Sequence, residues 1–287
     1  MPVKRLSFCC LAILAILPSA SGEPVALSVN GQARTFVLQR PPGQGPHPTI
    51  VMLHGGGGAA EEELRSSGLA ELGPQEGFLA VFPEAIAGLW NFFPPGKETL
   101  QYVQFFQRHG GLPDDVAFLK ALVAELVRDG LSDPRKVYLA GRSLGGAMVL
   151  RLACVDAGNF AAIGLLISAM PDATGSDCQP HKPVPVLMIN GTSDHVLPYK
   201  GERSARGDIL WSTERLVTFF NGLNGCAEPT QQSAQADRPT QNVVIERSAR
   251  CTGGPVVLYR IVGGGHEIPA TLKASQTLLD FFRDKMR

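Results

Sequence analysis

The chain has no net charge: 26 Lys and Arg balance 26 Asp and Glu over 287 residues. Without a basic field it has nothing to attract a phosphate backbone, which argues against a nucleic-acid partner. Long hydrophobic runs are also missing. The one sustained apolar segment, Leu6 to Leu17, is roughly ten residues, against the ~20 needed to span a bilayer, so no stable membrane anchor is expected. Cysteine is sparse, and neither C-x-x-C nor H-E-x-x-H spacing occurs, so no metal site is expected. The glycine run after Leu53 lacks both the G-x-G-x-x-G spacing and a G-K-[ST] ending. It therefore has no nucleotide signature, and no cofactor is expected. No linker or internal repeat divides the chain.

The N-terminus has the pattern of an export signal. Lys4 and Arg5 precede the short apolar segment, and Pro18-Ser19-Ala20-Ser21-Gly22 supplies small residues for cleavage. Residues 1–22 are read as a signal peptide and 23–287 as a single domain of a secreted or periplasmic protein. Cys9 and Cys10 lie inside the apolar segment, not after it, which disfavours a lipoprotein. Cys154, Cys178, Cys226 and Cys251 remain, an even number for an oxidising compartment. Four cysteines allow three connectivities. The pairing Cys154–Cys178 with Cys226–Cys251 is favoured because each bond closes a loop of about 25 residues, each contributing ~3 kcal/mol in the loop-entropy model. A buried free thiol at Cys154 is the alternative.

The most informative stretch is Lys136 to Gly146, where an apolar strand runs into Gly141-Arg142-Ser143-Leu144-Gly145 and then an Ala/Leu-rich segment. This predicts a nucleophile elbow. The serine occupies a strained strand-to-helix turn, and the flanking glycines let the two backbones approach. A serine hydroxyl needs a base, a group to orient that base, and donors for the oxyanion. Apolar runs at 161–167, 184–189 and 256–262 read as buried parallel strands. The second of them opens into Asn190-Gly191-Thr192-Ser193-Asp194 and the third into Gly263-Gly264-Gly265-His266. Asp194 and His266 thus fall past strand C-termini, the edge on which open α/β sheets build sites. An Asp in such a turn is also a plain turn former, whereas three glycines ahead of one histidine have no evident packing purpose. The other five histidines sit in loops or in the wrong chain order. Oxyanion donors are expected from the glycine loop after the strand Thr49 to Leu53, together with the N–H of Leu144. His54 is read as holding that loop.

Taken together these blocks resemble the secreted esterase group of the α/β-hydrolase superfamily that includes poly(3-hydroxybutyrate) depolymerase-like proteins, LpqC-type hydrolases, and microbial feruloyl and acetylxylan esterases. The matching segments are Leu53-His54-Gly55, Val81 to Ala85, Trp90-Asn91, Asp114 to Leu119, Asp133 to Tyr138, Gly141 to Gly146, Gly191 to Asp194 with Pro198-Tyr199, and Gly264-Gly265-His266. The resemblance implies nucleophile, acid and base at Ser143, Asp194 and His266, and oxyanion donors at Gly56 and Leu144. It departs at Gly56, where many members carry Cys, and at Ile268-Pro269-Ala270, where they carry Trp-Pro-Gly.

The remaining pattern predicts an α/β-hydrolase fold: a mostly parallel central sheet flanked by helices, opened by an antiparallel hairpin around Asn30-Gly31 within Val25 to Gln39. Helices are expected over Glu61 to Glu76 and Asp114 to Asp129, with a buried strand at Phe78 to Phe82. The aromatic stretch Ala87 to Leu112 is read either as a substrate wall, with Trp90, Asn91, Phe92 and Phe93 in the pocket, or as local core under a loop. The function expected is a serine esterase acting through an acyl-enzyme on a small or polymeric ester: a hydroxyalkanoate, or an acyl or feruloyl ester of plant polysaccharide. The alternatives are an acyltransferase on the same scaffold and a non-catalytic carbohydrate- or polymer-binding protein.

Overall fold

The computed structural model describes residues 24–234 and 243–284. The expected signal peptide lies outside them. In chain order the elements are β1 (Val25–Val29), β2 (Gln32–Gln39), β3 (His47–Leu53), α1 (Ala60–Ser66), α2 (Leu69–Gln75), β4 (Leu79–Pro83), α3 (Leu100–Gln107), α4 (Asp115–Arg128), β5 (Ser132–Arg142) and α5 (Leu144–Asp156). They continue with β6 (Ala162–Leu166), α6 (Asp172–Gly175), β7 (Val186–Gly191), α7 (Thr213–Leu223), β8 (Ala227–Ala234), β9 (Val243–Ala249), β10 (Val256–Ile261) and α8 (Ala274–Arg283).

The strands form one sheet in the order β1-β2-β4-β3-β5-β6-β7-β10-β9-β8. From β4 to β10 all neighbours are parallel, and antiparallel strands extend both edges. The hairpin β1–β2 turns at Asn30 and Gly31, both with positive φ, as the mirror-image turn of a two-residue hairpin requires. Period-two alternation sorts the strand residues onto two cores. Val51, Leu53, Leu139 and Met188 face one cluster, packed by α4, α5 and α7. Ile50, Met52, Tyr138 and Ile189 face the other, packed by α1, α2 and α8.

Two departures from the expected elements have local causes. The single helix expected over 61–76 is broken into α1 and α2 at Gly68, whose φ of 74° is left-handed and closes off a continuous helix. Strands β8 and β9 were not legible. They form an antiparallel ribbon at the sheet edge, and the Glu-Pro-Thr-Gln-Gln-Ser sequence of β8 lacks the apolar alternation of a half-buried strand. Disulfides join Cys154 to Cys178 and Cys226 to Cys251. The first ties α5 to the segment after α6, and the second ties the short link between α7 and β8 to the turn between β9 and β10.

After β3 the chain crosses to β4 on one side, whereas after β5 it crosses to β6 on the other. The loops leaving β3 and β5 therefore diverge, opening a crevice at their C-terminal ends.

Candidate active site

Ser143 stands in that crevice. Its φ of 52° and ψ of −119° lie in a region that costs a non-glycine residue ~1–3 kcal/mol. The surroundings enforce it. A Cβ on Gly141 would lie 2.4 Å from Gly145 C and O, and one on Gly145 would lie 2.4 Å from Leu53 O and 2.5 Å from His54 O. Strand, elbow and helix can approach this closely only because both positions are glycine. The turn is pinned further by Ser143 N–H to Leu166 O (2.9 Å) and by Ser168 Oγ, which donates to Ser143 O at 2.8 Å. Asn190 holds Ser168 in turn, accepting from its N–H and donating to its carbonyl, each at 3.0 Å. Sequence reasoning missed Ser168 and Asn190. Their only signal was that each sits at the end of a buried strand.

His266 and Asp194 arrive from neighbouring strands. β7 and β10 are parallel, with Gly191 opposite Ile261, so the loops that follow lie side by side. Thr192 N–H bonds Ile261 O (3.0 Å), Ser193 N–H bonds Gly264 O (2.8 Å), and Gly263 N–H bonds Thr192 Oγ1 (2.8 Å). Of the three glycines ahead of His266, Gly263 has a left-handed φ of 75° and a Cβ on Gly264 would meet Ile261 Cγ2 at 2.6 Å, whereas one on Gly265 would meet nothing; across from them, a Cβ on Gly191 would meet Gly264 O at 2.4 Å and Gly265 O at 2.5 Å. The result is a continuous chain, with His266 Nε2 2.9 Å from Ser143 Oγ and His266 Nδ1 2.7 Å from Asp194 Oδ2. Asp194 Oδ1 accepts the N–H groups of Val196 (2.8 Å) and Leu197 (2.9 Å). Burial pushes the Asp194 carboxyl upward, but the bonds from His266, Leu197 and Val196 outweigh it and hold the group below the usual carboxylate range. An ionised carboxylate only accepts, so Nδ1 carries the imidazole hydrogen and Nε2 presents its lone pair to the serine.

The glycine loop after β3 is locked at several points. Gly57 N–H bonds Gly88 O (2.8 Å) and Gly58 N–H bonds Gly55 O (3.1 Å), while Gly56 N–H takes part in neither. His54 is buried, with Nε2 accepting Ala85 N–H at 3.2 Å and Nδ1 bonded to Gly55 O at 2.8 Å. Those two bonds fit a neutral ring, and burial lowers its pKa accordingly. Beside Ser143, Arg142 donates to Glu63 of α1 at 3.0 Å.

Trp90, Asn91, Phe92 and Phe93 are core, not pocket wall. Trp90, Phe92 and Phe93 are buried, and Trp90 Nε1 donates to His54 O (2.9 Å). Asn91 is spent on Asp115 and Pro113 O. Trp90 thus braces the glycine loop, and none of the four lines the groove above Ser143. That groove, about 560 Å³, is lined by Ser143 and His266 and by Leu69, Ile167, Ile268, Pro269 and Leu278, with Arg142, Ser67, Ser275 and Glu267 as polar edges. Its outer wall comes instead from the start of α8 and the segment after His266, which have little aromatic character to advertise them.

No protein-family model matches the chain. NocK of Nocardia uniformis subsp. tsuyamanensis, assigned as an esterase, is 30% identical over 259 residues, 84% of this chain and 72% of NocK. The chain belongs to this esterase family. Feruloyl esterase B of Piromyces equi is 27% identical over 76% of this esterase, which spans only 39% of that enzyme. Feruloyl esterase D of Neurospora crassa is 24% identical over 86% of the esterase and 78% of its relative. Among solved structures, the acetyl xylan esterase of Aspergillus awamori superposes with a TM-score of 0.63 at 14% identity, covering 91% of the esterase and 99% of that chain. A cold-adapted esterase from an Arctic intertidal metagenomic library gives 0.56, also at 14% identity, over 91% and 92%. At such identities the likeness concerns the fold, which is that of the α/β-hydrolases.

Proposed function

We propose that Ser143, His266 and Asp194 are the catalytic triad of this esterase. The observation that carries the reading is the unbroken hydrogen-bond chain from Ser143 Oγ to Asp194 at the floor of an open groove. Ser143 Oγ attacks the ester carbonyl while His266 Nε2 takes its proton, and the carbonyl oxygen becomes an oxyanion held by the N–H groups of Gly56 and Leu144. As the intermediate collapses, the C–O bond to the alcohol breaks and the imidazolium returns its proton to the leaving alkoxide. Water then attacks the acyl-serine by the same route, freeing the acid and restoring the hydroxyl. Asp194 keeps the ring in the productive tautomer and stabilises its positive charge. No redox or metal step is required by this balance.

The substrate class proposed is an acyl ester of a saccharide or of a hydroxyalkanoate oligomer. A groove of about 560 Å³ with apolar walls and serine edges fits an acyl group plus part of a polar alcohol, and relatives are named for feruloyl and acetylxylan esters. The leader-like N-terminus and two disulfides support export, with 23–287 as the mature domain. The test is a panel of 4-nitrophenyl acyl esters, feruloyl and acetyl saccharides and hydroxybutyrate oligomers, with product analysis in the presence of an acceptor alcohol. Turnover of none of these esters, or transfer in preference to hydrolysis, would overturn the reading.

A further inference from the structure

A second cationic group stands against the glycine loop. Arg206 belongs to the segment between β7 and α7, which folds around Ser204: its Oγ accepts the N–H groups of Arg206 (3.2 Å) and Asp208 (3.0 Å), and Ala205 N–H reaches Val196 O at 3.1 Å. From there the exposed Arg206 side chain runs back toward β3. A Cβ on Gly56 would lie 3.2 Å from Arg206 Nη2 and 2.6 Å from Leu144 Cδ1. The guanidinium thus lies close beside residue 56, next to the loop and the helix start proposed to hold the oxyanion.

The same guanidinium stands beside the hydroxyl of Tyr102. Tyr102 is 5% exposed, its ring is packed edge-on against Phe92 and Phe93, and its oxygen, with Arg206 near it, is buried without a hydrogen bond of good geometry. A buried hydroxyl left unpaired is costly and calls for an explanation. Burial, with Asp208 nearby, pushes this phenol upward, so it remains an O–H donor under all working conditions. Asp208 lies near Arg206; burial raises its carboxyl, and Arg206, the Ser204 hydroxyl and Arg203 lower it.

The geometry points to a carboxylate-binding subsite, formed by Arg206 and Tyr102 beside Gly56, that selects esters bearing a carboxylate in addition to the scissile bond. A planar guanidinium and a phenol O–H both donate, and a carboxylate is the acceptor-only group that satisfies them together. The inference rests on Ser143 being the ester-cleaving nucleophile. It also divides the proposed substrates, since a hydroxyalkanoate oligomer ends in a carboxylate whereas a neutral saccharide ester does not.

The experiment compares matched pairs. Mono-4-nitrophenyl glutarate against 4-nitrophenyl hexanoate places the carboxylate on the acyl part, and 4-acetoxybenzoate against 4-acetoxybenzamide places it on the alcohol part. One pair should show a higher kcat/KM for the carboxylate ester, and which pair does so identifies the half of the ester that faces Arg206. In Arg206→Gln the carboxylate ester should lose about tenfold more than its neutral partner, chiefly in KM. Arg206→Lys should keep part of the ratio, Tyr102→Phe should lower it, and about 0.5 M salt should compress it in the wild type. Titration of glutarate into the folded protein needs no turnover: binding lost in Arg206→Gln supports the subsite even if these esters prove poor substrates. No preference in either pair together with no glutarate binding, or equal losses on charged and neutral esters in a folded Arg206→Gln, overturns it. Failure of the catalytic reading is seen separately, as absence of turnover for all four esters and no labelling of Ser143 by a fluorophosphonate.

Discussion

Replacing Asp194 with Asn tests the proposed triad where its hydrogen bonding leaves least freedom. Asp194 Oδ1 accepts two backbone N–H groups, from Val196 and Leu197. An Asn at this position must put its own oxygen there, because the reverse orientation would set an NH₂ against two N–H donors. The amide nitrogen is then the atom 2.7 Å from His266 Nδ1. Two donors cannot face each other, so the ring turns to the other tautomer, with hydrogen on Nε2 and no lone pair for Ser143. A wrong tautomer of this kind costs ~10⁴ in kcat, about 5 kcal/mol of transition-state stabilisation. Because Asn has the shape of Asp and keeps both backbone bonds, the fold should persist, as near-UV circular dichroism and thermal melting would report. Steady-state hydrolysis of 4-nitrophenyl acetate, with fluorophosphonate labelling of Ser143 as a second readout, should fall together by three to four orders of magnitude. A folded Asp194→Asn retaining about a tenth of wild-type turnover would refute this reasoning, and loss in Asp172→Asn or Asp208→Asn instead would move the acid elsewhere.

Ser143→Ala should abolish hydrolysis and probe labelling while leaving the melting temperature within a few degrees, and labelling at another serine would remove Ser143 from its role. Gly145→Ala places a Cβ 2.4 Å and 2.5 Å from two backbone oxygens that cannot rotate away, so soluble yield or stability should drop sharply, and a fully stable, active variant would count against the elbow packing. For pH, the folded Asp194 carboxyl is held below its usual value, so its stabilisation is complete above the ordinary carboxylate pKa of about 4 and is lost as pH falls through the folded value. The stability gap between wild type and Asp194→Asn should therefore be wide at neutral pH and close in acid; a gap that widens in acid would reverse the sign of the argument. Mass spectrometry of the exported, unreduced protein should find no alkylation at Cys154, Cys178, Cys226 or Cys251, and a labelled thiol at any of them would contradict the two disulfides.

The amino-acid sequence by itself determined the parts governed by near neighbours. Gly-x-Ser-x-Gly between an apolar strand and a helix specifies an elbow because the steric demand is local, and Asn30-Gly31 specifies the hairpin because positive φ is a property of those two residues. Buried parallel strands announce themselves as apolar runs, so the strand ends carrying Ser143, Asp194 and His266 could be located before any fold was known. Tertiary structure alone decided what depends on which segments meet. It put β7 beside β10 despite the two strands between them in the chain, which is why the loops of Asp194 and His266 touch. It turned Trp90 and Asn91 inward onto hydrogen-bond partners more than twenty residues away in the chain, His54 O, Asp115 and Pro113 O, and packed Phe92 and Phe93 against the ring of Tyr102. It made the groove wall from α8 and the segment after His266, and it brought Arg206 to Gly56 and to Tyr102 across more than a hundred residues of chain. Local sterics and hydrophobic period are written residue by residue, whereas a site lined from five or six separate segments is a property of their packing.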